Sequence, residues 1–302
     1  MVEHRLYYSL AYVSATYAFD STRKPAWIAG SLASNPVAGV ILCEPNPLER
    51  SDVERIHDPL FVNSIRTGEP LELAESNCFE WDSTVWDMVM AQEGGAVAAS
   101  IAALEDGVAG SLSTGMHHAY RSKGKGFCTF NGLVLGALAA LDRGAGNVLI
   151  VDLDAHCGGG THSLIRDEPR IWQLDLSVSN FDEHDDTDRS VVQIFKSPEQ
   201  YLLNLQSRLD AIRDVPFGLC IYCSGMDPHE LCAFGGVTGF TDAVLARREE
   251  VVFEWCRQRQ LPVAYMVGGG YEGKKLSRDH LVRLHRMTIE SAANSAAKQH
   301  SS

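Results

Sequence analysis

The clearest pattern along the chain is the run Val148-Leu-Ile-Val-Asp-Leu-Asp-Ala-His-Cys-Gly-Gly-Gly-Thr161, unbroken β-branched and aliphatic residues that turn polar at their carboxyl end. Such a run predicts a strand buried on both faces of a parallel sheet. Downstream, apolar runs and helical spacing alternate: strands over 171–176, 217–223 and 262–267, helices over 198–213, 240–259 and 277–293. The alternation predicts βα units and a mainly parallel sheet sandwiched by helices. The opening third is less regular, with Pro25, Pro36, Pro45, Pro47 and Pro59 punctuating short apolar runs, of which 37–43 is the best strand candidate. Residues 52–66 read as two short helices broken at Pro59. Residues 94–104, rich in small side chains, read as a helix packed closely on a sheet, followed by a loop to 115–120 and a buried helix over 129–142. A frayed tail is expected from 296 to 302. With no linker, repeat or low-complexity segment, the chain reads as one three-layer α/β/α domain spanning 1–302.

At 302 residues, 45% hydrophobic and 22% charged, the chain can bury a large core. Its formal net charge of -13 excludes a protein that coats nucleic acid or an anionic membrane, because binding phosphates needs clustered Lys and Arg. Neither a signal-peptide pattern nor an apolar run of membrane-spanning length is present, so a cytoplasmic location is expected. Eight cysteines in a chain this long do not make a disulfide framework. Cys220 and Cys223 resemble a redox or zinc pair, but on a strand they face opposite sides, which predicts reduced core thiols.

On a strand, Asp152, Asp154 and His156 share one face before the glycines turn the backbone, and two carboxylates with an imidazole suggest a metal site. Other polar clusters follow predicted strands or occupy loops: Ser224-Gly-Met-Asp-Pro228 with Asp227, Val267-Gly-Gly-Gly-Tyr271, adjacent His117 and His118, and Gly126-Phe-Cys-Thr-Phe130. Taken singly, each has a plainer reading, a surface His pair or a flexible glycine turn. Together they supply the parts of an amide hydrolase. An Asp/His/Asp set leaves a zinc with open positions, two imidazoles can act as general base and acid, and a phenol can hydrogen-bond an oxyanion.

The motifs Ile56-His-Asp-Pro-Leu-Phe-Val62, Gly115-Met-His-His-Ala119, Gly126-Phe-Cys-Thr-Phe-Asn131, Asp152-Leu-Asp-Ala-His-Cys-Gly158, Ser224-Gly-Met-Asp227 and Gly268-Gly-Gly-Tyr271 occur in a familiar order. From about His57 to about Ala293 the chain resembles the zinc-dependent histone deacetylase and acetylpolyamine amidohydrolase family of the arginase/deacetylase superfamily. The resemblance implies that superfamily's α/β fold, with zinc held by Asp154, His156 and Asp227. It further implies His117 and His118 as the proton-transfer pair, Tyr271 as carbonyl polariser, and Gly126 and Phe127 on an acyl tunnel, with Phe181 as a second wall. A structural monovalent cation, usually potassium, would be held by the Asp152 side chain, the carbonyls of Asp154 and His156, and Ser177.

Two departures stand out: Cys157, where the family commonly has His or Gln, and Gly159, where it commonly has a carboxylate or amide that orients the second histidine. His118 is therefore expected to lack a partner, unless Asp182 or another loop carboxylate replaces it, and to be the neutral member of the pair. His117, backed by Asp152, is expected to carry charge more easily. The acidic run from Asp182 to Asp188 and the net charge point to neutral or cationic acyl-amine substrates, acetylated polyamines or acetyl-lysine peptides. A two-metal ureohydrolase would need carboxylates at Gly158 and near His229, where there are none. A non-catalytic acyl-group reader would not need Tyr271 and both histidines. An assembly of identical copies stays open at this point.

Overall fold

Every strand of the sheet runs the same way. In the computed structural model, which describes residues 4–15 and 20–299, the strands are β1 (His4–Tyr7), β2 (Val40–Cys43), β3 (Val108–Ser111), β4 (Asn147–Asp152), β5 (Ile171–Ser177), β6 (Ser190–Ile194), β7 (Phe217–Cys223) and β8 (Val263–Met266). They lie in the order β2-β1-β3-β8-β7-β4-β5-β6, each neighbouring pair parallel. Parallel neighbours need long crossovers. The helices that accompany them are α1 (Lys24–Ser34), α2 (Arg50–Val53), α3 (Pro59–Thr67), α4 (Leu71–Ala74), α5 (Val85–Asp106), α6 (Gly132–Asp142), α7 (Gly159–Ile165), α8 (Pro198–Ala211), α9 (Asp242–Gln258) and α10 (Arg278–Gln299).

The pleat sorts each central strand between two cores. From β4, Leu149 and Val151 join residues of α1, α8, α9 and α10 on one face of the sheet, while Val148 and Ile150 join residues of α3, α5 and α6 on the other. The same alternation puts Cys220 in the first core and Cys223 in the second, as the sequence predicts, and all eight cysteines are free. The result is a three-layer α/β/α sandwich around one parallel sheet, as the sequence predicts. No helix among the described residues is long and apolar enough to cross a membrane.

Several elements differ from the sequence reading. The two short helices read over 52–66 are present as α2 and α3, but Pro59 is the first residue of the second: it sits in the first turn, where its missing N–H costs nothing, and Asp58 caps the turn by accepting the Leu60 N–H at 2.8 Å. The helix read over 94–104 begins nine residues earlier, at Val85. Strands β1, β3 and β6 were not expected. The tail is not frayed from 296, because α10 continues to Gln299 and Ala296 is buried in the core. Residues 300–302 lie outside the described residues.

Candidate functional site

The side chains that carry chemistry come from loops leaving the carboxyl ends of β3, β8, β7, β4 and β5, which are consecutive across the sheet. Loops at that edge converge over one crevice. The strand alternation expected to align Asp152, Asp154 and His156 does not continue, since β4 stops at Asp152. The loop itself brings the groups together. His156 Nδ1 lies 3.2 Å from Asp154 Oδ1 and 3.1 Å from Asp227 Oδ2, and one donor atom from each of Asp154, His156 and Asp227 falls within 4.8 Å of the others. Backbone N–H groups fix the carboxylates: Gly269 donates to Asp154 Oδ2 at 2.6 Å and Ala155 to Asp227 Oδ1 at 2.9 Å. A side chain at Gly269 would collide with both carboxylates, so the backbone approaches closely there only because the residue is glycine.

This arrangement fits a cation. Asp227 Oδ2 is buried with no hydrogen-bond partner, because the nearby His156 Nδ1 is within ion-pair distance but has its hydrogen-bond geometry toward Asp154. Burial and the charge of Asp154 push the Asp227 carboxyl up to about 6. Burial opposes a charge on His156, yet the two neighbouring carboxylates outweigh that and raise it to about 10. Two facing buried carboxylates thus draw positive charge toward themselves.

His117 and His118 lie with ring centroids 3.9 Å apart. His117 Nδ1 donates to the buried Asp152 Oδ2 at 2.7 Å. Burial works against its charge, but Asp152 and Asp154 overcome this and raise its pKa to about 10. His118 is lowered to about 4, by burial first and by the charge on His117 second. This is the order expected from the sequence. His118 does have a partner, and it is the loop carboxylate allowed for in the sequence as a replacement: its Nδ1 donates to Asp182 Oδ2 at 2.8 Å. Asp182 Oδ1 also accepts from the Tyr120 hydroxyl at 2.7 Å and from Lys125 Nζ.

A cavity of about 80 Å³ leads to these groups, lined among others by Phe127, Gly126, Phe79, Met116, Lys24 and Tyr271. Phe127 lies against Phe79 with ring centroids 5.2 Å apart and planes tilted by 35°, and stands 6.5 Å from the Tyr271 ring. Phe181 stands edge-on to His118 at 5.0 Å and to His156 at 5.8 Å. Both phenylalanines are partly exposed, as walls of an entrance would be. Burial, with Asp227 and Asp154 nearby, raises the phenol of Tyr271 well above its ordinary range, so the hydroxyl keeps its proton. Asp152 and Ser177 end adjacent strands, and Ser177 Oγ donates to the buried carboxylate of Asp175 at 2.6 Å.

Sequence reasoning missed several supports. Lys24 is buried beneath the glycine loop, donates to the Gly268 carbonyl, and lies 5.9 Å from the Tyr271 ring. Arg248, fully buried, donates from Nη1 to the carbonyls of Leu153 at 3.0 Å and Gly225 at 2.7 Å, and is paired with Glu249. It ties the loop of Asp154 to that of Asp227. A second cluster, His229, Asp242 and His280, also has metal-like spacing. There, however, the Leu231 N–H donates to His229 Nδ1, which leaves Nε2–H to donate to Asp242 at 2.9 Å. It is read as a hydrogen-bonded triad.

Residues 19–185 match the family model described as the histone deacetylase domain. The chain is 31% identical over 235 residues to an uncharacterised protein of Picosynechococcus sp., covering 76% of this chain and 78% of that one. It is 29% identical over 242 residues to histone deacetylase 2 of Arabidopsis thaliana, covering 74% of this chain but only 62% of that protein. A shorter match, 47% over 55 residues, covers 18% of this chain and 16% of acetylpolyamine amidohydrolase 2 of Pseudomonas aeruginosa. Among solved structures, the HDA15 HD domain superposes with a TM-score of 0.78 at 17% identity, covering 98% of this chain and 93% of that one.

Proposed function

The chain belongs to the histone deacetylase family, and within it we propose a zinc-dependent amidohydrolase that removes an acetyl or other acyl group from an amine such as acetyl-lysine or an acetylated polyamine. The observation that carries the reading is the convergence of Asp154, His156 and Asp227, one carboxylate oxygen unsatisfied, beside a histidine pair and a phenol. Asp154, His156 and Asp227 would hold the zinc, which when bound polarises a carbonyl and acidifies a water.

The protein's own groups do the rest. Donation from Nδ1 to Asp182 leaves Nε2 of His118 as the bare nitrogen, able to take a proton from the attacking water and return it to the departing amine. His117, held charged by Asp152, faces the negative charge that builds on the substrate. The Tyr271 hydroxyl keeps its proton and donates a hydrogen bond to the carbonyl oxygen as that oxygen becomes an oxyanion. Phe127 and Phe181 flank the acyl-amine stem and exclude water. A monovalent cation near Asp152 and Ser177 belongs to the same reading. It is supported by the burial of Asp152, Asp175 and Ser177 together, with Asp175 raised by burial first.

The test is turnover of acetyl-lysine peptides and acetylpolyamines by the zinc-loaded protein. Release of acetate with a stoichiometric free amine is expected. Tight binding of a hydroxamate without any turnover would favour a non-catalytic acyl-group reader.

A further inference from the structure

Asp182 does more than contact His118. It sits just past β5, in the loop that carries Phe181, whereas Gly159 begins α7 on the metal-ligand loop. A Cβ built at Gly159 would lie 2.5 Å from the Asp182 carbonyl oxygen, 2.9 Å from its Cγ and 2.8 Å from the Tyr120 hydroxyl. The place a side chain would take at 159 is therefore already filled by the carboxylate of 182 and its phenol partner. Asp182 holds a left-handed backbone, φ 64°, which is uncommon for a residue with a side chain. Three donors converge on its carboxylate: His118 Nδ1, the Tyr120 hydroxyl and Lys125 Nζ. Despite burial, these hold it well below the usual carboxylate range, so it is ionised. Lys125, in turn, precedes Gly126 and Phe127 and lies over the Phe181 ring at 5.0 Å.

We propose that Asp182 is the positioning residue for His118, occupying the space that the absent side chain at Gly159 leaves, and that through Lys125 the same carboxylate ties the Phe127 loop to the Phe181 loop. The orientation of the catalytic imidazole and the setting of the tunnel walls are thereby one structural unit. This rests on the deacetylase reading for its kinetic consequences but not for its geometry.

The experiment uses the full chain, zinc-loaded, with Asp182→Asn, Asp182→Gly and Gly159→Asp. Gly159 has no left-handed φ, but a Cβ there would meet the residue-182 carbonyl oxygen at 2.5 Å, a backbone clash that changing the 182 side chain does not remove. Asp182→Asn and Asp182→Gly should lower kcat by about 10- to 100-fold, as loss of a group orienting a site residue typically does, with zinc content and KM little changed. Gly159→Asp should be impaired by crowding and like charge. A proton spectrum should show a downfield His118 Nδ1–H signal, identified by its loss in His118→Gln and also lost in Asp182→Asn. That signal is read whether or not the protein turns over any substrate, so its absence from the wild type overturns the inference without touching the deacetylase reading. Retention of kcat within about threefold in a folded Asp182→Asn with normal zinc content overturns it as well.

Discussion

Nη1 of Arg248 lies 2.7 Å from the carbonyl oxygen of Gly225, inside the protein and two residues before Asp227. The guanidinium also holds the Leu153 carbonyl and is neutralised by Glu249, whose Oε1 accepts the Tyr222 hydroxyl at 2.8 Å. Removing one partner of a buried pair strands the other. Arg248→Ala is expected to cost about 3–5 kcal/mol of stability. Urea unfolding checks this, and a loss below about 1 kcal/mol would show that the clamp is dispensable.

One divalent ion per chain is expected, with Asp154→Ala, His156→Ala and Asp227→Ala each losing it while keeping their far-ultraviolet circular dichroism. Three protein ligands hold such an ion and its open positions face the substrate. Elemental analysis gives the answer. A ratio near two with equal occupancy would instead support a two-metal ureohydrolase.

Tyr271→Phe should lower kcat by about two to three orders of magnitude, the usual effect of losing one oxyanion donor. KM should change far less. A variant within about threefold of wild type would take the carbonyl-polarising role away from Tyr271.

Glu183, Asp185, Asp186 and Asp188 are exposed beside Phe181, on a chain of net charge -13. Cationic acyl-amines should therefore have higher kcat/KM than anionic ones, and the advantage should shrink as salt screens the field. Equal constants across substrate charge, or indifference to salt, would remove steering from the account.

His57 donates from Nδ1 to the Tyr120 carbonyl at 2.9 Å and accepts the Asn131 N–H at Nε2 at 3.0 Å, so both nitrogens are committed in the neutral ring. Burial lowers its pKa to about 4. Between there and the unfolded value of about 6.5, the unfolded chain binds more protons, so stability rises with pH. The contribution, about 3 kcal/mol, is present in full above pH 6.5 and lost as pH falls toward 4. Denaturation across that window should show wild type losing more stability than His57→Asn. Parallel curves would mean that His57 is not the group responsible.

How far the sequence reveals this protein depends on whether a feature is local. β4 and β7 are legible because both faces are buried and both strands read as apolar runs. β3 is not: its four residues include Gly110, kept small because Tyr265 packs where a side chain would stand. β6 is an edge strand, half-exposed along most of its length, and sits behind an acidic run that reads as loop. The Asp154/His156/Asp227 and histidine motifs were legible as candidate chemistry because the residue types themselves suggest it. Asp182 could be named as a candidate partner of His118 but not assigned, since the two lie 64 positions apart. Lys24 gave still less signal, reaching Gly268 across 244 positions.

The uniformly parallel sheet has a consequence for fragments of this chain. Since no two neighbouring strands can be joined by a tight hairpin, the crevice exists only after distant segments have met. A piece ending at residue 185, where the family-model match stops, would contain Asp154 and His156 but neither Asp227 nor the Gly269 N–H that holds Asp154. It would also lack β7 and β8, the strands between β4 and β3. Tight capture of the proposed ion would therefore report completion of the whole tertiary structure, and an ion-sensitive probe followed during refolding is expected to respond only in the final kinetic phase.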